Sequence, residues 1–175
     1  MCNSQNPIRG RGASDNPVNR FEGNYIDYDL DEETGEKPSP KTTLIADHTQ
    51  SIITYNQSED IGFNASINPY RGCEHGCIYC YARPYHEYLG YSSGLDFESK
   101  IVVKYDAPKL LKKELSSKKW TPQVIAMSGV TDIYQPVERK LKLTRSCLEV
   151  LAEYRNPVGM ITKNHLITRD IDVLC

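Results

Sequence analysis

The stretch Asn68-Pro-Tyr-Arg-Gly-Cys-Glu-His-Gly-Cys-Ile-Tyr-Cys-Tyr-Ala-Arg-Pro84 sets Cys73, Cys77 and Cys80 at the spacing C-x₃-C-x₂-C. Three thiolates so close in sequence can wrap one iron–sulfur cluster and leave one iron without a protein ligand. An open iron can bind a substrate or a second cofactor, so the spacing points to chemistry as well as to structure. The rival is a structural zinc site, which needs four closed ligands and could draw on His75 inside the motif. The spacing lacks the paired C-x₂-C knuckles of zinc ribbons, and iron–sulfur is the preferred reading. Cys2, Cys147 and Cys175 are scattered, whereas a disulfide framework would spread all six cysteines more evenly.

Outward from this loop the chain alternates between strand and helix patterns. Phe63-Asn-Ala-Ser-Ile67 alternates apolar and polar residues and predicts a strand that leads straight into the cysteines. Ser99–Tyr105, Gln123–Met127 and Val158–Thr162 predict three more strands. Asp106 is placed to cap a helix with Pro108 in its first turn and Leu110, Leu111 and Leu115 as its apolar face. A long loop from Ser128 to about Lys142 leads to a helix carrying Cys147, Leu148, Leu151 and Tyr154, which Asn156-Pro157 ends. Thr168 is expected to cap a last helix with Ile167, Ile171 and Leu174 on one stripe. The pattern predicts an α/β fold of parallel β/α units, with functional residues after the strands' C-terminal ends. The cysteine loop, Ser128-Gly-Val-Thr-Asp132 and Thr162-Lys163 all fall there. About four units do not close a barrel, and the last stripe breaks off at Cys175. The expectation is therefore a partial, incomplete TIM-like barrel in a fragment or truncated product.

Residues 1–60 read as a largely irregular or wrapping arm, rich in Asn, Gly, Pro, Asp and Glu over its first forty positions. Phe21, Tyr25, Ile26 and Tyr28 are its candidate anchors, and Leu44-Ile45 and Ser51–Tyr55 its candidate short strands. Residues 61–175 form the core domain. Of the 175 residues, 39% are hydrophobic and 25% charged, enough to fold around one core. A net charge of −2 gives no global drive toward nucleic acid or membrane. No run approaches the about 20 apolar residues of a membrane span. Residues 1–40 show no signal-peptide core, so the expectation is a soluble cytoplasmic protein without a membrane partner. The lysines between Lys100 and Lys119, with Trp120, read as the solvated face of a helix rather than a nucleic-acid surface.

Four motifs carry a family resemblance: the Asn68–Pro84 stretch, Gly94-Leu-Asp-Phe-Glu98, Thr131-Asp-Ile-Tyr-Gln-Pro-Val-Glu138 and Thr162-Lys-Asn-His-Leu-Ile-Thr-Arg-Asp170. With Arg9-Gly-Arg-Gly-Ala-Ser-Asp-Asn-Pro-Val-Asn-Arg-Phe21, they make the chain resemble a radical S-adenosylmethionine (SAM) family related to spore photoproduct lyase, DNA repair photolyase-like, specifically its N-terminal half. The aromatic Tyr79 before the last cysteine fits that family. The resemblance implies a [4Fe-4S] cluster held by Cys73, Cys77 and Cys80. SAM would chelate the fourth iron and be cleaved by one electron to methionine and a 5′-deoxyadenosyl radical. It implies that Tyr79 lies against the adenine region of SAM, and that Ser128, Gly129, Thr131 and Asp132 hold its amino end or ribose. Lys163 would pair with its carboxylate. It implies a reductant such as flavodoxin or ferredoxin, and a lyase-like reaction with nucleic acid as a candidate substrate. Two alternatives stand beside it: a radical SAM reaction on RNA, a peptide or a small molecule, and a non-catalytic iron–sulfur module.

Other polar residues near these motifs have plainer readings. His75 and His86 read as loop residues bonded to backbone. Arg71 and Arg83 are either partners of the cluster or SAM, or ordinary surface arginines. Cys147 reads as a small buried hydrophobe, Cys2 and Cys175 as incidental. Asp132 reads as functional, and Glu138 as a solvated residue at a helix start, with a structural salt bridge as its other reading.

Overall fold

The computed structural model describes residues 8, 10–21, 39–58 and 60–175. The chain is mixed α/β and divides into two compact units. One draws on residues up to Ile45 and on Gly72–Ile101, the other on Ala46–Arg71 and Val102–Cys175. In chain order the strands are β1 (Thr43–Ala46), β2 (Ile53–Tyr55), β3 (Ala65–Ile67), β4 (Tyr70–Arg71), β5 (Lys100–Val103), β6 (Ile125–Met127) and β7 (Val158–Met160). The helices are α1 (Leu95–Ser99), α2 (Ala107–Leu115), α3 (Glu138–Leu141), α4 (Leu143–Glu153) and α5 (Ile171–Leu174), with 3₁₀ segments at Arg83–Leu89 and His165–Asp170.

The second unit is built on a four-stranded sheet of order β2-β3-β6-β7. β2 runs antiparallel to β3, with Ile53 opposite Ile67. β3, β6 and β7 are parallel, with Ala65 opposite Ile125 and Ile125 opposite Val158. Ile125, Ala126 and Met127 are all buried, as a strand between two parallel neighbours requires. α2 and α4 cover the sheet through Leu111, Leu115, Cys147, Leu148 and Leu151, which join Ile67, Ile125 and Met127 in one core. Each such side chain contributes roughly 1.5–3 kcal/mol on burial. Glu114 of α2 accepts the backbone N–H groups of Ile52 at 2.6 Å and Ile53 at 3.3 Å, tying the antiparallel edge to the helix.

Three expectations change here. The apolar run of β5 does not enter the parallel sheet. In the second unit it pairs antiparallel with β4, Tyr70 opposite Val103 and Arg71 opposite Val102. The parallel strands are therefore β3, β6 and β7, and no barrel closes among the described residues. Asp106 stands at the start of α2 but its carboxylate caps no helical N–H. The 3₁₀ segment before α5 is capped by Asn164, which accepts from Leu166 N at 2.9 Å, and not by Thr168. Thr168 instead donates to the carbonyl of His165 at 2.9 Å.

In the first unit β1 is the hydrogen-bonded neighbour of β5. The arm from Gly10 to Phe21 has no regular structure, and its polar groups bind α1 and the Arg83–Leu89 segment. Phe21 stacks on Tyr88 with ring centroids 4.8 Å apart. The other candidate anchors, Tyr25, Ile26 and Tyr28, lie outside the described residues.

Candidate functional site

The cysteine loop belongs to the first unit. Gly72 opens it at φ +80°, a conformation a side chain rarely adopts. A Cβ there would stand 2.9 Å from the Lys100 carbonyl and 3.0 Å from that of Phe97. Cys73 N donates to the Phe97 carbonyl at 2.8 Å, so the first cysteine is buried and fixed against α1. Cys77 and Cys80 are half-buried, and Cys80 N reaches the Cys77 carbonyl at 3.3 Å, closing a turn. Tyr79 stands between them, 81% exposed. The five described cysteines are thiols. Among the described residues no three His, Cys, Asp or Glu side chains are drawn together as a metal-holding group.

Arg83 braces this loop. Its Nε donates to the Cys77 carbonyl at 3.0 Å, its Nη1 to the carbonyls of Ser93 and Gly94, and its Nη2 to Glu98 Oε1 at 2.5 Å. The guanidinium is thus a scaffold of the loop. Glu98 is fully buried. His86 is also buried, between Tyr91 and the edge of Phe97, and its Nε2 makes no hydrogen bond. Burial pushes its pKa down to about 4, against the pull of the Asp96 carboxylate, so the ring is neutral. His86 keeps the backbone hydrogen bonds expected of it, to Asp96 and Lys100, but from a buried position on the Arg83–Leu89 segment.

In the second unit the C-terminal ends of β3, β6 and β7 carry Asn68, Ser128 to Asp132, and Thr162-Lys163. Ser128 leaves β6 at φ +138°, outside the range ordinary side chains prefer. Asn68 Nδ2 lies 3.6 Å from where a Cβ on Gly129 would be. Thr131 is buried, and its hydroxyl accepts from Gln135 Nε2 at 3.0 Å. Asp132 gathers the rest. Its Oδ1 accepts from Tyr134 N at 2.9 Å and from the Thr162 hydroxyl at 2.7 Å, and its Oδ2 from Lys163 N at 3.1 Å. Asn164 Nδ2 adds a 2.6 Å bond to the Tyr134 carbonyl. Ser128, Gly129, Thr131, Asp132 and Lys163 are thus brought to one sheet edge. Both oxygens of Asp132 serve the protein itself, so it acts here as the tie between two loops. The exposed Lys163 side chain stands at the end of that tie.

Glu138 departs most from its sequence reading. It is buried, not solvated, and accepts from Tyr70 OH at 2.5 Å, Thr144 N at 3.0 Å and Arg169 Nη2 at 2.8 Å. Arg169 also grips Asp170, which Arg145 reaches at 3.0 Å. Burial alone would raise the Asp170 carboxyl; hydrogen bonds from Arg169 and Arg145 outweigh it and hold that carboxyl below its usual range. Cys147 is fully buried on α4, and burial pushes its thiol up, consistent with a packing role. Sequence reasoning missed the roles of Glu98 and Asn164, and placed Thr162 at a strand end without its bond to Asp132. Only Asn164 had a local signal, an Asn two residues before Leu166 at a helix start.

Comparison with known proteins gives relatives whose names assign no activity. The chain is 38% identical over 112 residues to an uncharacterised protein of Mycobacterium tuberculosis, a match covering 64% of this chain and 33% of the relative. It is 36% identical over 119 residues to an uncharacterised protein of Methanocaldococcus jannaschii, covering 67% of this chain and 42% of the relative. The match thus spans about a third to two-fifths of the length of these curated relatives. No family model and no solved structure matches the chain. No helix among the described residues is long and apolar enough to cross a membrane.

Proposed function

We propose that the chain carries the cluster-binding part of a radical SAM enzyme of the photolyase-like class, with β3, β6 and β7 as the first parallel strands of a partial (β/α) barrel. The observation that carries this reading is the loop bearing Cys73, Cys77 and Cys80, three soft sulfur donors on one braced turn. These residues would hold a [4Fe-4S] cluster, and its chemistry would be one-electron cleavage of SAM to a 5′-deoxyadenosyl radical. Cys73 is fixed by Phe97, while Cys77 and Cys80 stay half-open, which suits a donor set that must accept an inorganic group after folding. Ser128, Gly129, Thr131, Asp132 and Lys163 at one sheet edge support a role in holding SAM, with the Lys163 ammonium as the carboxylate partner and Asp132 as the brace. Tyr79, exposed on the cysteine loop, is available to stack on an adenine ring. The reductant would be a flavodoxin or ferredoxin, and the substrate damaged DNA, in a lyase-like repair reaction in the cytoplasm.

Anaerobic reconstitution with iron and sulfide tests the reading. The expected product is a brown protein that forms 5′-deoxyadenosine from SAM with dithionite. Cys77→Ala is expected to lose iron and SAM cleavage together. A colourless protein holding stoichiometric zinc would overturn it. Binding to damaged over undamaged duplex DNA tests the substrate; equal binding removes DNA repair and leaves the radical chemistry standing.

A further inference from the structure

We propose that Arg11, Gly12 and Ala13 of the N-terminal arm are positioning residues for the cysteine loop, a built-in strap that holds it ready for its inorganic group. The functional meaning of the strap rests on the reading of Cys73, Cys77 and Cys80 as ligands; its mechanical role does not. Gly12 N and Ala13 N donate to Glu98 Oε2 and Oε1, each at 2.9 Å. Arg11 Nη1 donates to the Glu98 carbonyl at 2.7 Å, and Nη2 to the Pro40 carbonyl at 2.6 Å and the Thr42 hydroxyl at 3.4 Å. That hydroxyl in turn donates to Glu74 Oε1 at 2.7 Å, inside the cysteine loop. The same Glu98 carboxylate receives Arg83, which holds the Cys77 carbonyl. One buried carboxylate therefore joins the strap to the loop from both sides.

A buried carboxylate is costly unless its lone pairs are filled. The strap fills two of them with backbone N–H groups, and Arg83 supplies the neutralising charge. Without the strap, Glu98 would lose two donors and the brace on Cys77 would loosen with it. The strap also touches the loop directly. A Cβ on Gly12 would stand 1.8 Å from the Gly76 carbonyl oxygen, a backbone atom that cannot step aside. Glycine is needed at position 12 for this approach, which explains a motif that carries no apolar periodicity.

The test uses the protein without any metal. Iodoacetamide labelling of Cys73 is followed by peptide mass spectrometry in Gly12→Ala, Arg11→Ala and Arg11→Lys. The single tryptophan, Trp120, lies in the second unit, so its unfolding transition is the control for that unit, and an unchanged far-UV circular dichroism spectrum is the control for the first. Gly62→Ala is the control for an Ala substitution with open space around it. Gly12→Ala and Arg11→Ala are expected to raise Cys73 labelling at least about tenfold, the scale of a lost local clasp, with the Trp120 transition unchanged. Arg11→Lys, which keeps the cation but not the fork that spans the Glu98 and Pro40 carbonyls, restores part of the protection. Unchanged labelling in both Gly12→Ala and Arg11→Ala overturns the proposal. So does a rise matched by Gly62→Ala, or one that appears only where the Trp120 transition is also lost. Because the readout is a thiol reaction in metal-free protein, a failure of the strap is distinguishable from a failure of the cluster reading.

Discussion

Tyr70 donates to Glu138 through a 2.5 Å hydrogen bond, joining β4 to the start of α3 with both residues fully buried. Glu138 also takes the N–H of Thr144 at the start of α4 and the guanidinium of Arg169 beyond β7. Burial and the neighbouring Glu138 carboxylate push the Tyr70 phenol far above its ordinary range, so Tyr70 stays a donor at every accessible pH.

Removing the two ends of this bond should have unequal effects. Tyr70→Phe leaves Glu138 with its other donors and is expected to cost about 1–2 kcal/mol. Glu138→Ala strands the Tyr70 hydroxyl and the Thr144 N–H together, while Arg169 keeps Asp170, and is expected to cost about 2–4 kcal/mol. Urea titration followed by Trp120 fluorescence measures both. Equal losses would show that the carboxylate is not the hub.

Gly72→Ala should damage the cysteine loop as much as a core truncation would. The side chain would meet two carbonyl oxygens at 2.9 and 3.0 Å in a left-handed conformation. The expected cost is about 2–4 kcal/mol, from the backbone strain and the overpacking combined. Iron content after anaerobic reconstitution should fall with it. Full iron loading and an unchanged thermal midpoint would contradict the geometry.

Much of the second unit was legible in the sequence because its signals are periodic. Cys147, Leu148 and Leu151 recur at helical spacing and all are buried on α4. The strand ends of β3, β6 and β7 were readable from short apolar runs followed by polar loops. The partner of a strand was not legible. Ile101, Val102 and Val103 are all buried, as in a parallel interior, yet β5 pairs antiparallel with the two-residue β4. Periodicity reports burial and says nothing of the neighbour. Glu138 and Glu98 escaped for a related reason: each is buried by donors far along the chain, Tyr70 and Arg169 for one, Gly12 and Ala13 for the other. The cysteine motif needed no fold to be noticed, since its spacing is local.

His86 predicts a pH dependence for the first unit. Its pKa in the fold is about 4, against the usual value near 6.5. The unfolded chain therefore binds the extra proton first as pH falls. Stability is full above about pH 6.5 and declines toward pH 4, by about 3 kcal/mol in all. His86→Phe should flatten this slope, as measured by denaturant midpoints at pH 4.5 and 7.5. An equal slope in the variant would assign the acid sensitivity elsewhere.

Asp132→Ala should unlock the β7 loop. Tyr134 N, Lys163 N and the Thr162 hydroxyl all lose their acceptor, at an expected cost of about 1–3 kcal/mol. Asp132→Asn keeps an acceptor and should lose less. Equilibrium dialysis with labelled SAM on reconstituted protein should show weaker binding in the same order. Identical binding by both variants and the parent would count against the proposed role of this loop in holding SAM.

The first unit is sewn from segments far apart in the chain, with the arm bonded to α1 across 80 to 86 positions. During synthesis the arm emerges long before its acceptors, Asp96 and Glu98, exist outside the ribosome. The cysteine loop therefore cannot be closed early, because its clasp waits for a late partner and a large loop must shut to reach it. Through that interval the three thiols are exposed to solvent chemistry before their enclosure is built.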